Sequence, residues 1–393
     1  MNVPLLDLSR QHQALKDELM AAFAKTLDSG RFILGSEVEA LEQETARYCQ
    51  ARHGIACASG SDALLLSLMA FGIGPGDEVI TSPYSFFATA SCIARMGAKA
   101  VFADISLRCF NLDPQDVLRK ITPRTKAIIP VHLFGQSADM APCLAVAREK
   151  GIKIIEDAAQ AIGAEYRGQR VGGIGDVGCL SFFPTKNLGG LGDGGMLVTN
   201  DSALAEKLKI LRLHGAKTEY NHQWLGINSR LDAIQASFLR IKLRHLDEWT
   251  EARQRNASLY IAKITAAGLA DAPSGCQGCA NPVPSSSGKP IILPAACQSR
   301  HVYNQFVIRT VNPSARNALR QFLQDGNIGS RVYYPVSLHQ QPCFASWGYR
   351  AGDLPNSEAA NQTSLALPIF PELTESQITH VVDSLAAFNW NSL

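Results

Sequence analysis

Along the first two-thirds of the chain, short apolar runs alternate with segments whose apolar residues recur at helical spacing. "GIACAS" (54–59) reads as a strand ending in small residues, and "DALLLSLMAFGI" after it sets Leu64, Leu65, Leu68 and Met69 on one helical face. The pairing repeats: "PGDEVIT" before "FFATASCIARMG", "AKAVFADI" before "DPQDVLRKI", and "KAIIPVHL" before "MAPCLAVAREKG". Asp113 and Pro114 form a helix-start signal, and Gly151 a stop. "IKIIEDA" is the near-continuous apolar kind of strand that is buried on both faces. "GCLSFF" and "GGMLVTN" are two further short strands. Such alternation predicts an α/β fold, a mostly parallel mixed sheet with helices on both sides. In sheets of this kind ligands sit at the carboxyl ends of the strands.

Residues 201–262 carry a helical pattern, the longer part of which, "LDAIQASFLRIKLRHLDEWTEARQRNASLYIAKI", is long enough to bridge two domains. After it, "VYNQFVIRT" and "IGSRVYYPV" read as strands, with "ARNALRQFLQDG" and "SQITHVVDSLAAF" as helices. The expected organisation is a large α/β domain over 1–250 and a smaller α+β domain over 251–393, with the first ~12 residues packing on the smaller one.

With 393 residues, two domains are also the default on length. Hydrophobic content of 46% and charged content of 18% exclude a disordered chain. A formal net charge of +2 with dispersed basic residues argues against a nucleic-acid partner. "MNVPLLDLSRQHQALKDELM" lacks the apolar core of a signal peptide, and no apolar run is long enough to span a bilayer, so a cytoplasmic protein with no membrane partner is expected. Most of the ten cysteines lie singly in apolar segments, as reduced buried cysteines do. Cys276-x2-Cys279 and Cys297-x3-His301 have spacings that a zinc site could use. The Pro-, Ser- and Gly-rich stretch between them reads instead as an inserted loop near 273–300, and no metal is expected.

One stretch does not fit a structural role. "SFFPTKNLGGLGDGG" (181–195) sets Lys186 between the two last strands of the alternating region, in a run rich in glycine. A surface lysine needs no such setting, whereas a lysine amine that must reach an aldehyde and form a Schiff base does. Earlier in the chain, "ASGSDALLL" places Gly60 and Ser61 at a helix start, where unpaired N–H groups favour a phosphate. Alone this is equally an ordinary Ser/Asp helix cap. "IEDAAQAIGA" puts Asp157 at the end of a buried strand with Gln160 one turn on; its carboxylate is costly there unless paired, as a cationic ring nitrogen would pair it. Phe86 in "PYSFFATA" offers a flat face for stacking, although such a phenylalanine is equally suited to a core. Phosphate site, stacking face, ring-nitrogen acid and lysine are the four requirements of pyridoxal phosphate (PLP), met in chain order by Gly60–Ser61, Phe86, Asp157 and Lys186.

The motifs "RFILGSEVEALE", "SGSDALLL", "GDEVIT", "ITPRTKAIIPVHLFGQ", "IEDAAQAIGA", "SFFPTKNLGGLGDGG", "GINSRLDAIQA" and "YYPVSLHQQP" resemble the DegT/DnrJ/EryC1/StrS family, sugar aminotransferases of PLP fold type I. The resemblance implies that Lys186 tethers PLP, Asp157 binds the ring nitrogen, and Gln160 lies near the ring hydroxyl. It implies that Ser181, with Gly60 and Ser61, binds the phosphate, and that Phe86 stacks on the ring. Asn228 in "GINSRL" would reach the phosphate from a neighbouring subunit, hence a homodimer with shared sites. Tyr334, His339, His301 and Tyr303 fall in segments that line the family's substrate clefts, where packing is an equal alternative for each. Ser229 stands where many relatives carry tyrosine, and "GSD" replaces the commoner "GTD".

A branch of the family with histidine at the lysine position dehydrates sugars; Lys186 therefore points to transamination. The expected reaction moves the amino group of L-glutamate, through the pyridoxamine phosphate (PMP) form, onto a nucleotide-linked keto-sugar. "NLDP", "NSRLD" and "QQP" lean toward C3 of a UDP-2-acetamido-2-deoxy-3-oxo-uronate. The alternatives are a dTDP- or UDP-linked 4-keto-6-deoxy sugar, a dTDP-3-keto sugar or a keto-cyclitol, and, in another class, a non-catalytic PLP-binding regulator.

Overall fold

The computed structural model describes residues 1–273 and 288–390. Its frame is a seven-stranded sheet. We number the strands β1 (His53–Cys57), β2 (Glu78–Thr81), β3 (Lys99–Phe102), β4 (Thr125–Ile129), β5 (Lys153–Asp157), β6 (Val177–Ser181) and β7 (Gly195–Thr199). Their order across the sheet is β1-β7-β6-β5-β4-β2-β3. Neighbours are parallel from β6 through to β3, and β7 alone runs antiparallel to both its neighbours. The sheet is thus the mixed, mostly parallel one that the alternation predicts. Every residue of β2 and β7 is buried, as strands covered on both faces require.

Because the parallel strands share a direction, the chain after β1, β2, β4, β5 and β6 emerges at one edge, and the residues leading into β7 reach that edge too. The helix Gly60–Ala70 starts there, its N-terminus capped by Ser59, whose side chain accepts from Asp62 N–H. It is apolar on nearly every side and buried among Ile55, Val79, Val177 and Leu197 of the sheet. Close approach at this edge demands glycine. A Cβ on Gly60 would lie 2.7 Å from Ser181 Cβ, and one on Gly195 only 2.3 Å from the Ser59 carbonyl carbon.

A second core gathers Tyr260, Phe306, Ile308, Leu319, Leu365 and Val381 around a three-stranded antiparallel sheet of Ile291–Ile292, Phe306–Thr310 and Ser364–Leu367. Val3 belongs to this core and bridges to Ile328. The helical stretch over 201–262 is not continuous. Helices span Ser202–Leu211, Ala233–Leu243 and Leu246–Ala266, with two short strands, Ala216–Thr218 and Asn221–His222, between the first two. The break at Arg244–His245 separates a helix that packs on the main sheet from one whose Ala257, Tyr260 and Ile264 face the second core. The expected strand "IGSRVYYPV" is an extended segment with isolated bridges at Ile328 and Arg331. Residues 331–335 border a cavity rather than a partner strand, apart from the bridge of Arg331 to Ala366. The loop carrying Cys276 and Cys279 lies largely outside the described residues.

Candidate active site

At the shared strand edge lies a cavity of about 760 Å³. Of the residues expected to handle a cofactor, it brings together Gly60, Ser61, Phe86, Asp157, Gln160, Ser181 and Lys186, and Tyr334 closes it from the other side. Each arrives by a short route. Ser61 follows β1, Phe86 follows β2, Asp157 ends β5, Ser181 ends β6, and Lys186 lies in the loop from β6 to β7.

The Lys186 amine makes no hydrogen bond or ion pair among the described residues, while its backbone N–H donates to Phe183 O at 2.9 Å. Burial pushes its ammonium group down to about 8, against a smaller upward pull from the Asp157 carboxylate. The amine is therefore free to act as a base or nucleophile near neutral pH, as an ordinary lysine is not. The loop is held from behind. Lys242 Nζ donates to Gly189 O at 2.6 Å, Gln235 Oε1 accepts from Leu191 N–H at 2.9 Å, and Asn187 Nδ2 donates to Val302 O at 3.0 Å.

Asp157 is only 5% exposed. Burial raises its carboxyl pKa, and the strongest opposing influence is a hydrogen bond from Thr89 Oγ1 to Oδ2 at 2.7 Å. Gln160 has its amide fixed at both ends. Oε1 accepts from Phe134 N–H at 2.8 Å, and Nε2 donates to Tyr334 OH at 3.0 Å. One N–H of the Gln160 amide remains for a ligand.

The expected anion site presents unused donors. Ser59, not Ser61 or Asp62, caps the helix, so the Ser61 hydroxyl is spared, and the Gly60 and Ser61 N–H groups have no acceptor among the described residues. Ser181 Oγ faces the same point, with only a long contact from Phe183 N–H at 3.4 Å. Phe86 is 58% exposed and lines the cavity, an unburied aromatic face.

Four expected residues lie elsewhere. Asn228 is exposed, away from the cavity of its own chain. His301 and Tyr303 are buried and stacked on each other with ring centroids 3.8 Å apart, and Tyr303 belongs to the second core. Burial lowers the His301 pKa to about 3, and its Nδ1 accepts from Tyr303 N–H at 2.9 Å. His339 is buried with Nε2 3.1 Å from Glu358. These side chains are taken up by packing in the described chain. Ser229, fully buried, donates to Asp62 Oδ2 at 2.7 Å and accepts from Ala58 N–H at 3.1 Å, tying the Asn228 segment to the cradle helix.

Sequence reasoning missed three groups at the cavity: Thr89 behind Asp157, and Arg320 and Arg331 at its outer wall. A threonine early in a helix and two arginines in a chain with many carry no local signal. Among the described residues, no cluster of His, Cys, Asp or Glu could hold a metal ion, and no helix is long and apolar enough to cross a membrane.

A lysine and a carboxylate at the carboxyl edge of this mixed sheet, beside an anion cradle, define a PLP-dependent aminotransferase of fold type I. The model of the DegT/DnrJ/EryC1/StrS aminotransferase family matches residues 13–386, and the chain belongs to that family. It is 49% identical to a pleiotropic regulatory protein of Geobacillus stearothermophilus, over 99% of each chain. It is 42% identical to a UDP-N-acetyl-3-dehydro-alpha-D-glucosamine 3-aminotransferase of Acidithiobacillus ferrooxidans, over 96% of each. Among solved structures, DesV of S. venezuelae, crystallised with a ketimine intermediate, superposes with a TM-score of 0.89 at 41% identity, covering 98% of each chain.

Proposed function

We propose that the protein transfers the amino group of L-glutamate to C3 of a UDP-2-acetamido-2-deoxy-3-oxo-uronate. The observation that carries the transaminase chemistry is the convergence of Lys186 and Asp157 on one cavity beside the Gly60–Ser61–Ser181 cradle. The buried carboxylate, the donors without acceptors and the free amine fit PLP group by group. When bound, PLP supplies an aldehyde for amines and a ring that takes up electrons from the substrate carbon.

The chain's own residues do the rest. With PLP bound, Lys186 Nζ would hold its aldehyde carbon; as a free amine it would carry the proton from Cα of glutamate to that carbon and, in the second half-reaction, from that carbon to the sugar carbon that receives nitrogen. Asp157 holds a proton on the ring nitrogen. Gln160 donates its spare N–H toward the ring hydroxyl and holds Tyr334 at the wall. Gly60, Ser61 and Ser181 bind the phosphate through N–H and hydroxyl donors, and Phe86 lies against the ring. In this division residues 1–250 bind the cofactor and 251–393 supply the facing wall, including Tyr334. His301, Tyr303 and His339, buried in packing, serve the structure and do not touch substrate.

The substrate reading rests on two supports. One relative is named for amination at C3 of a UDP-linked 2-acetamido sugar. Arg320 and Arg331 line the outer wall without an ion pair among the described residues, and two unpaired cations suit a sugar carrying a carboxylate. A panel of keto-sugars, followed by 2-oxoglutarate release from glutamate, tests this. The 3-oxo-uronate should show the highest kcat/KM, and Arg331→Ala should erase its lead over the neutral 6-hydroxy sugar. Preference for the neutral sugar, or for a 4-keto-6-deoxy sugar, contradicts the reading.

Asn228 supports a homodimer with shared sites. It is exposed, and Tyr220 and Leu225 of the same excursion are 89% and 93% exposed, an apolar surface suited to a second copy. The name of the Geobacillus relative favours a second reading, a regulator that binds PLP without turnover. No release of 2-oxoglutarate with any keto-sugar, despite bound PLP, would select it.

A further inference from the structure

The two oxygens of Asp157 are used unequally. Oδ2 accepts from Thr89 Oγ1 at 2.7 Å, whereas Oδ1 receives only a long contact from Ala159 N–H at 3.3 Å. Thr89 is fully buried in the first turn of the helix Ala88–Arg95, and its Oγ1 lies 2.8 Å from Ser85 Oγ. An ionised carboxylate only accepts, so the Thr89 hydrogen points at Asp157 and the Ser85 hydroxyl donates to Thr89. The three groups form a one-way chain ending on a single carboxylate oxygen. A helical threonine ordinarily returns its hydroxyl to a carbonyl of the preceding turn; Thr89 gives it to the acid instead.

We propose that Thr89, backed by Ser85, is a positioning residue that keeps Asp157 ionised and leaves Oδ1 for the cationic ring nitrogen. This rests on the role given to Asp157 above. A donor to the charged form favours that form and opposes the burial that disfavours it. The other titratable groups facing Asp157 are Lys186, His132, Tyr334, Cys92 and Cys179. None replaces Thr89. Burial keeps both thiols and the phenol neutral, His132 Nε2 is engaged by Glu156 at 2.9 Å, and Lys186 makes no hydrogen bond to the acid. Phe86 and Thr89 lie three residues apart, so a single turn delivers both the stacking face and the hydroxyl that holds the acid.

The test compares full-length wild type, Thr89→Val, Thr89→Ser and Ser85→Ala, with and without PLP. Valine is nearly isosteric with threonine but lacks the hydroxyl. With PLP, Thr89→Val should move the titration of the lysine-bound cofactor's absorbance to higher pH. A more basic Asp157 draws the proton from the ring nitrogen, and a less positive ring leaves the lysine nitrogen more basic. PLP affinity should fall roughly tenfold. Thr89→Ser should restore both, and Ser85→Ala should shift both less, in the same direction.

Without PLP, the deficit in Tm of Thr89→Val should widen as pH rises from about 4 to about 8. A carboxyl whose folded pKa lies above its unfolded one loses stability through that window, and removing a donor extends the loss to higher pH. Wild-type titration behaviour in Thr89→Val, with a deficit independent of pH, overturns the proposal. Should Thr89→Val not fold, Ser85→Ala against wild type decides it on the same readouts. The cofactor-free profile stands apart from PLP: a wild type that never binds PLP at Lys186 defeats the functional reading, while that profile still decides the link from Thr89 to Asp157.

Discussion

The cavity has two unlike sides. The inner side is made by strand ends: Asp157 closes β5, Ser181 closes β6, and Ser61 and Phe86 follow β1 and β2. The outer side, with Arg320, Arg331 and Tyr334, comes from a helix and an extended segment that meets a strand only at the Arg331–Ala366 bridge. The sheet fixes the inner groups within hydrogen-bonded registers, so the groups that suit the cofactor are held rigidly. The outer groups come from a helix and a segment outside the main sheet, so their identities are not tied to its strand registers. Under the proposed function, chemistry and specificity thus occupy different kinds of structure within one site.

The largest effects should come from the inner side. Lys186→Ala should lower turnover by more than about 10⁴-fold and abolish the visible absorbance of bound cofactor, read by steady-state assay and spectroscopy. Asp157→Asn should cost roughly 10²- to 10³-fold in kcat while leaving PLP bound. In the cofactor-free protein, the rate at which Lys186 combines with PLP should rise with pH through about 8. Asp157→Asn should move that inflection down, because its carboxylate is what holds the ammonium up. Gly60→Ala, which forces a Cβ against Ser181, should weaken PLP binding by about tenfold in equilibrium dialysis.

The smallest catalytic effects belong to the residues behind the outer wall. His301→Ala should leave the keto-sugar KM unchanged while costing about 2 kcal/mol of stability, through loss of its stack on Tyr303. A raised KM without loss of stability would move His301 into the substrate site. Mixing inactive Lys186→Ala with inactive Asn228→Ala should restore activity by subunit exchange if each site takes Asn228 from the partner; no recovery argues for sites built from one chain.

This contrast also governs how much was legible in the sequence. The strands of the main sheet and Asp157 and Lys186 stand out because a charge at the end of an apolar run is conspicuous and costly. The proposed phosphate cradle was half legible: "ASGSD" marks a helix start, but only packing reveals that Ser59 does the capping and leaves the Ser61 hydroxyl unused by the cap. Thr89 was invisible, since its meaning depends on a contact 68 residues away in the chain. "IGSRVYYPV" has the alternation of a strand, but residues 331–335 line a cavity in succession instead of joining a sheet. His301, Tyr303 and His339 show the converse difficulty, because histidine and tyrosine serve equally well as core polar groups and as sugar contacts.

Borohydride reduction of the PLP-treated protein, followed by peptide mapping, tests the central assignment most directly. The account predicts one stable adduct, on Lys186, that vanishes in Lys186→Ala. An adduct on another lysine, or none from protein saturated with PLP, contradicts it.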